Sequence, residues 1–255
     1  MNTTDRLSVL RTAKQNGQKI AVLTAYDYPL ARLLDEAGVD LLLVGDSLGM
    51  VVLGYPDTTH VTLDDMVHHV RAVARGAQRA GVVGDLPIHT YDTPEQAVAS
   101  ARRLVEAGAH AVKLEGGAAC KPQIAAIVKA GIPVVGHIGM LPQQVNEEGG
   151  YKIKGKTEEE IARLKADAEA VQDAGAIAVV MELIRPEPAR EITSLLHIPT
   201  IGIAAGPHCD GQVLVSHDLF GMFPWFVPKF VTPGAQVGEI IRNTARQFIE
   251  RVHQS

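Results

Sequence analysis

A (β/α)8 barrel is the fold class predicted for this chain of 255 residues, and three observations predict it. Short apolar runs alternate with amphipathic helical patterns, as in a parallel sheet buried under helices. Most of those runs end in a charged or polar residue that a buried strand should not tolerate: Asp46 and Ser47, Asp85, Lys113 and Glu115, His137, and Glu182. The length matches that of one barrel, the architecture that builds an active site from the ends of several parallel strands.

The expected strands are 19–26, 40–46, 81–85, 109–115, 132–137, 176–182 and 198–203, with a weaker eighth at 212–216. Ala37-Gly38, Ala80-Gly81, Ala107-Gly108, Ala130-Gly131 and Ala174-Gly175 each close a helical pattern and open an apolar run. Glycine lets a helix leave through a left-handed conformation, so each pair marks a helix-to-strand turn. Helix starts are expected at Pro29 and Pro94, and Thr62-x-x-Asp65, Thr93-x-x-Gln96 and Thr157-x-x-Glu160 resemble capping boxes. An open doubly wound sheet would need fewer strands and normally a Gly-rich first turn, and GDSLGM does not have the spacing of one.

The intervals 38–81 and 131–175 are longer than the others, which places insertions at 48–60 and 139–156, after the strands that carry Asp46 and His137. The second, with Gly149-Gly150 as a hinge, reads as a mobile cover over the site or as an ordinary surface loop. No linker divides the chain, so 1–255 reads as one domain. Residues 234–253 form an amphipathic helix that either closes the barrel or packs on a neighbour.

Composition bounds the function. The chain is 46% hydrophobic but only 4% aromatic, so its core must come from aliphatic side chains, and a net charge of −5 argues against a polyanion partner. Cys120 and Cys209 are isolated, so neither zinc site nor disulfide is indicated. The first residues do not resemble a signal peptide, and no apolar run could span a bilayer. A cytoplasmic protein that binds neither membrane nor nucleic acid is expected.

Side chains alternate along a strand, so Lys113 and Glu115 share a face, as do Asp85 and Val83, Glu182 and Val180, and Asp46 with Val44 and Leu42. If these faces point inward, Asp46, Asp85 and Glu115 converge near the mouth. Three adjacent negative charges call for a cation, and carboxylate and water oxygens suit a hard ion such as Mg2+. Lys113 would then hold an anionic substrate group. Glu182 follows an apolar run, and a carboxyl enclosed by apolar side chains has the raised pKa of a general acid or base. Each residue also has a plainer role: an Asp can cap the next helix, Lys113 and Glu115 can pair, and His137 can be a hydrogen-bonded structural histidine. His68-His69 reads as helix surface, His208-Cys209-Asp210 as a turn, and His60 as a loop residue near the pocket.

The stretches LTAYDYPLARLLDEAGVDLLLVGDSLGMVVLGY, VTLDDMVHHVRAVARG, AVKLEGG, VVGHIGMLPQ, GGYKIKGKT and DGQVLVSHDLFG closely resemble the ketopantoate hydroxymethyltransferase (3-methyl-2-oxobutanoate hydroxymethyltransferase) family, in the family's order. The resemblance implies a barrel of the phosphoenolpyruvate mutase and isocitrate lyase type. It also implies transfer of a hydroxymethyl group from 5,10-methylenetetrahydrofolate to 3-methyl-2-oxobutanoate, through a Mg-stabilised enolate, in pantothenate synthesis. Position by position it makes Asp46 and Asp85 ligands of Mg2+ or another divalent cation, and Glu115 a ligand directly or through water. Ser47 and Lys113 would hold the 2-oxo acid with the metal, Glu182 would accept the proton, and His137 would support metal or substrate oxygens. A homo-oligomer, commonly a decamer, is implied as well. The chain departs from the family pattern at Ala204 (Gly expected), Leu141 (Thr), Ile88 (Phe) and around Trp225. Rival readings are a lyase or mutase with the same metal site, a Schiff-base aldolase using Lys113, and a barrel that binds without turnover.

Overall fold

A computed structural model describes residues 6–255. Eight strands, β1 Ile20–Thr24, β2 Leu41–Val44, β3 Gly81–Asp85, β4 Ala111–Glu115, β5 Val134–Gly139, β6 Ala178–Glu182, β7 Thr200–Ile203 and β8 Gly211–Leu214, form a closed barrel in sequential order. The paired strands are parallel. The main helices are α1 Ser8–Asn16, α2 Tyr28–Ala37, α3 Leu63–Gly76, α4 Pro94–Glu106, α5 Lys121–Lys129, α6 Glu158–Asp173, α7 Pro186–Leu195 and α8 Val237–His253. The strands lie within two residues of their expected positions.

Helix starts follow the capping chemistry, with one refinement. Thr62 and Asp65 form the full reciprocal box at α3. At α4 and α6, Thr93 and Thr157 accept from the N–H groups of Gln96 and Glu160 as expected. The side chains of Gln96 and Glu160, however, reach one residue further back, to the N–H groups of Asp92 and Lys156. Gly38, Gly108, Gly131 and Gly175 all have positive φ, as helix exits require. The Ala80-Gly81 pair differs: α3 ends at Gly76, and Gly81 already lies in β3. That turn is held instead by Asp35 of α2, whose buried carboxylate accepts from the N–H groups of Arg79 and Ala80 at 2.9 and 2.7 Å.

Interior side chains come from alternate strand positions: Ile20 and Val22, Leu41 and Leu43, Val83, Ala111, Val135, Ala178 and Val180, Ile201, and Val213. Leu7, Leu10 and Ala13 belong to the same cluster. The helix α1, which contributes Leu10 and Ala13, therefore stops the amino-terminal end of the barrel, a role its short pattern did not reveal. Lys14 anchors it to Asp210 Oδ2 at 3.0 Å and to the carbonyl of Thr193 at 2.6 Å.

Two features depart from eight uniform β/α units. No helix separates β7 from β8; residues 204–210 return as a loop tied by Asp210 to the Thr200 N–H at 2.9 Å. The described residues also fall into two compact units, 6–213 and 214–255. Within the second, α8 forms as expected, yet Ile240, Ile241, Phe248, Ile249 and Val252 are exposed.

Ala204, the first residue after β7, sits at φ 51°. A left-handed alanine costs about 1–2 kcal/mol, which outweighs the roughly 0.4–1 kcal/mol that alanine gains over glycine by restricting the unfolded chain. We therefore expect Ala204→Gly to raise stability by about 0.5–1 kcal/mol, the difference between these terms. Urea unfolding with unchanged m-value would show it, and a fall in midpoint would contradict it.

Candidate active site

The carboxyl ends of the strands gather the polar residues. Asp85 pairs in register with Lys113, Glu115 with His137, and Gly139 with Glu182. Lys113 and Glu115 continue the interior row that starts at Ala111, and Asp85 continues that of Val83. Asp46 arrives differently. Leu41 and Leu43 are the interior residues of β2, so Leu42 and Val44 face the helices and the parity expected for Asp46 fails. The chain leaves β2 after Val44, and the turn through Gly45 brings Asp46 to the cluster. There its N–H lies 3.4 Å from Asp85 Oδ2.

Asp46, Asp85, Lys113, Glu115 and His137 are each at most 5% exposed. Lys113 Nζ stands 2.8 Å from Asp85 Oδ2 and 3.9 Å from Glu115 Oε1. Burial works against its charge, but Asp85, Glu115 and Asp46 together hold its pKa above the ordinary lysine value. One ammonium cannot satisfy three acids. Burial, and then the Asp85 charge, push the Asp46 carboxyl up to about 7. Burial likewise raises Asp85, and raises Glu115 well above the carboxylate range. The site is short of positive charge.

His137 lies between two acids, with Nδ1 3.7 Å from Glu115 Oε1 and Nε2 3.4 Å from Glu182 Oε2. Neither nitrogen makes a hydrogen bond of good geometry. Burial, then the Lys113 charge, lower its pKa, so the ring is neutral at neutral pH. The apolar enclosure expected for Glu182 is not found. Its side chain is 15% exposed and faces the His137 ring. Ser47 is half-buried, with Oγ 2.8 Å from the hydroxyl of the buried Tyr26.

The two insertions are structured and meet each other. The first contains helical turns at Leu48–Val51 and Thr58–His60, the second at Pro142–Gln144 and Val145–Glu148. Asp57 caps the turn at Thr58 and accepts from Asn146 Nδ2 at 3.1 Å. Burial is outweighed there by hydrogen bonds led by that of Thr59, which bring the Asp57 carboxyl down to about 2. The second insertion returns beside β6, where the N–H of Lys154 donates to the carbonyl of Leu183 at 2.7 Å. Leu141, before the Pro142 turn, provides no side-chain cap.

The remaining candidates separate. His60 is exposed and 3.2 Å from Asp57. His68 is exposed, whereas His69 Nδ1 lies 2.6 Å from the carbonyl of Tyr26. His208 is exposed, Cys209 is buried and Asp210 serves the β7–β8 loop, as a turn would have them.

Sequence reasoning missed Gln143, which is 4% exposed. Its Nε2 donates to Asp46 Oδ2 at 2.8 Å, and its backbone N–H donates to Glu115 Oε2 at 3.0 Å. The MLPQ motif contained it, but a neutral amide in a loop carries no charge anomaly to mark it.

The donor set suits a hard divalent cation. Asp85 Oδ1 is buried without a hydrogen-bond partner, and the surrounding oxygens are carboxylates that lack neutralising charge. Among the described residues, no three His, Cys, Asp or Glu side chains are gathered as a ready cage.

Several solved structures share the fold. A phosphonomutase-like protein from Burkholderia cenocepacia aligns over 96% of this chain and 99% of its own with TM-score 0.71 at 17% identity. A 2,3-dimethylmalate lyase of the PEP mutase/isocitrate lyase superfamily aligns over 98% and 88% with TM-score 0.65 at 20% identity. Sequence relatives are much nearer. The 3-methyl-2-oxobutanoate hydroxymethyltransferase of Ignicoccus hospitalis is 53% identical over 93% of this chain and 90% of its own. The enzyme of that name from Acetivibrio thermocellus is 54% identical over 94% and 86%. Residues 5–255 match the profile of ketopantoate hydroxymethyltransferase, and the chain belongs to that enzyme family.

Proposed function

We propose that this enzyme transfers a hydroxymethyl group from 5,10-methylenetetrahydrofolate to 3-methyl-2-oxobutanoate, giving 2-dehydropantoate and tetrahydrofolate, in pantothenate synthesis. The observation that carries the reading is the buried set of Asp46, Asp85 and Glu115 around Lys113, with Glu182 beside it. Relatives sharing half of the sequence bear the name of this activity.

Asp46 and Asp85 would hold Mg2+ or another divalent cation, with Glu115 a ligand directly or through water. The ion would supply positive charge against the keto and carboxylate oxygens of the 2-oxo acid. A phosphonopyruvate hydrolase that shares the fold, with TM-score 0.64 at 13% identity over 98% of this chain and 99% of its own, was solved with oxalate and Mg2+. Lys113 and Ser47 hold the substrate's oxygens. Glu182, partly exposed at the mouth, takes the proton from C3. The electron pair left behind delocalises onto the keto oxygen as an enolate. The one-carbon unit forms its new bond to C3 as both of its C–N bonds to the folate break; water supplies the hydroxyl, and the proton from C3 and the second proton of water end on N5 and N10 of tetrahydrofolate. His137, neutral beside Glu182, supports the metal or substrate oxygens. Segments 48–60 and 139–156 cover the site. We propose a cytoplasmic homo-oligomer, decameric as the resemblance implies, on the support of the exposed apolar residues of α8.

The proton step is separable from folate. In D2O with Mg2+ and no folate, the protein should exchange the C3 proton of 3-methyl-2-oxobutanoate. Glu182→Gln should slow this by about 10²–10⁴-fold, the range of a general base. Exchange absent from the wild type, or undiminished in the variant, would refute the assignment, and C–C cleavage in its place would favour the lyase reading.

A second expectation concerns pH. With no cation bound, the folded protein keeps on Asp46, up to a pH of about 7, a proton that the unfolded chain releases near 4. That contribution to stability is complete below about pH 4 and is lost as pH rises to about 7. A bound cation displaces the proton. The increase in Tm given by Mg2+ should therefore grow between about pH 5 and 8, as scanning calorimetry would record. An increment independent of pH would count against Asp46 as a ligand.

A further inference from the structure

The backbone N–H and both side-chain amide atoms of Gln143 are engaged. Its backbone N–H donates to Glu115 Oε2 at 3.0 Å. Its Nε2 donates to Asp46 Oδ2 at 2.8 Å and to the carbonyl of Leu86 at 3.0 Å. Its Oε1 accepts from the Tyr91 hydroxyl. The orientation of the amide is determined by its partners. The Leu86 carbonyl can only accept, which directs the nitrogen towards β3 and Asp46. Tyr91 is kept in its protonated, donating form by burial and then by the nearby Glu115 charge.

This arrangement has a cost that an ordinary loop residue would not bear. A buried glutamine forfeits hydration and side-chain freedom, and it does so here at the start of an insertion that could have stayed in solvent. What it secures is specific. One oxygen each of Asp46 and Glu115 is occupied by an uncharged donor, which fixes the rotation of both carboxylates without neutralising them. Lys113, by contrast a charged donor, holds Asp85 Oδ2 and leaves Asp85 Oδ1 without a partner. Two of the three acids, on β4 and on the turn after β2, are thereby held by a loop that follows β5, and the third, on β3, by a lysine of β4.

We propose that Gln143 is a positioning residue that aims Asp46 and Glu115 at the divalent cation, with Tyr91 holding its amide in register. The inference rests on the metal reading above and adds a residue that contacts neither cation nor substrate. It makes the insertion 139–156 part of the metal site, because that segment cannot swing away without releasing two of the three acids.

The test is Mn2+ binding to the metal-stripped full chain, followed by the EPR signal of free Mn2+, with Tm measured on each variant. Gln143→Leu should weaken Mn2+ binding by about 10–100-fold, the effect usual for partners of metal ligands. Tyr91→Phe, which removes one oxygen and leaves Gln143 Oε1 without its donor, should weaken it by a smaller factor. In the C3 exchange assay both should raise the metal concentration needed for half-maximal rate and largely keep the rate at saturating metal. If Gln143→Leu melts below the wild type, Tyr91→Phe decides. Unchanged Mn2+ affinity in the folded variants overturns the inference, since a merely structural contact would alter Tm alone. Tighter binding in Gln143→Leu overturns it too, by making the amide a competitor of the ion. A wild type that binds no Mn2+ refutes the metal reading itself and this inference with it.

Discussion

At the carboxyl end of the barrel, Lys113 is buried at 4% exposure, 2.8 Å from Asp85 and 3.9 Å from Glu115, with Asp46 also in the cluster. Removing charges from water is expensive, and a buried pair is sustained only when its geometry and remaining hydrogen bonds are good. This constraint organises the upper end of the molecule. The Asp85–Lys113 register places the ion pair across adjacent strands, Gln143 occupies the free sides of Asp46 and Glu115, and the remaining deficit of positive charge is what a divalent cation would fill.

The two ends of the barrel divide the work. At the amino-terminal end α1 seals an aliphatic interior, and Lys14 ties it to Asp210 and the chain before β8. Those contacts stabilise and carry no reactive group. At the opposite end the same interior rows continue into Asp85, Lys113, His137 and Glu182, two residues beyond the aliphatic layer, with Glu115 two further on. The strand period of two is thus the device that turns a packed core into a cluster of ionisable groups within a single turn of alternation. Because strand positions are rigid, the acids on β3, β4 and β6 need only local bonds to be aimed.

Much of this was legible beforehand. The strands, most helix exits and the capping threonines each rest on local chemistry, and they appear within two residues of where that chemistry put them. Lys113, Glu115, Asp85 and Glu182 announced themselves because a charge at the end of an apolar run contradicts its surroundings. Asp46 joins the cluster by a route that alternation did not predict: β2 points Leu41 and Leu43 inward, and only the turn at Gly45 brings the acid round. Likewise Ala80-Gly81 looked like the other helix exits, yet a carboxylate from α2 holds that turn.

What the sequence determined by itself was the alternation of strands and helices, the inventory of acids, and the family, since periodicity, capping and motif order are properties of neighbouring residues. Tertiary structure decided which groups meet. Gln143 and Asp46 stand nearly a hundred residues apart and touch because the loop after β5 crosses towards the turn after β2. It also decided that Glu182 is partly exposed beside a neutral imidazole, where its position in an apolar run suggested enclosure. Burial and hydrogen-bond partners depend on the whole chain's packing, and for that reason the charge balance of the site became visible only with the barrel closed.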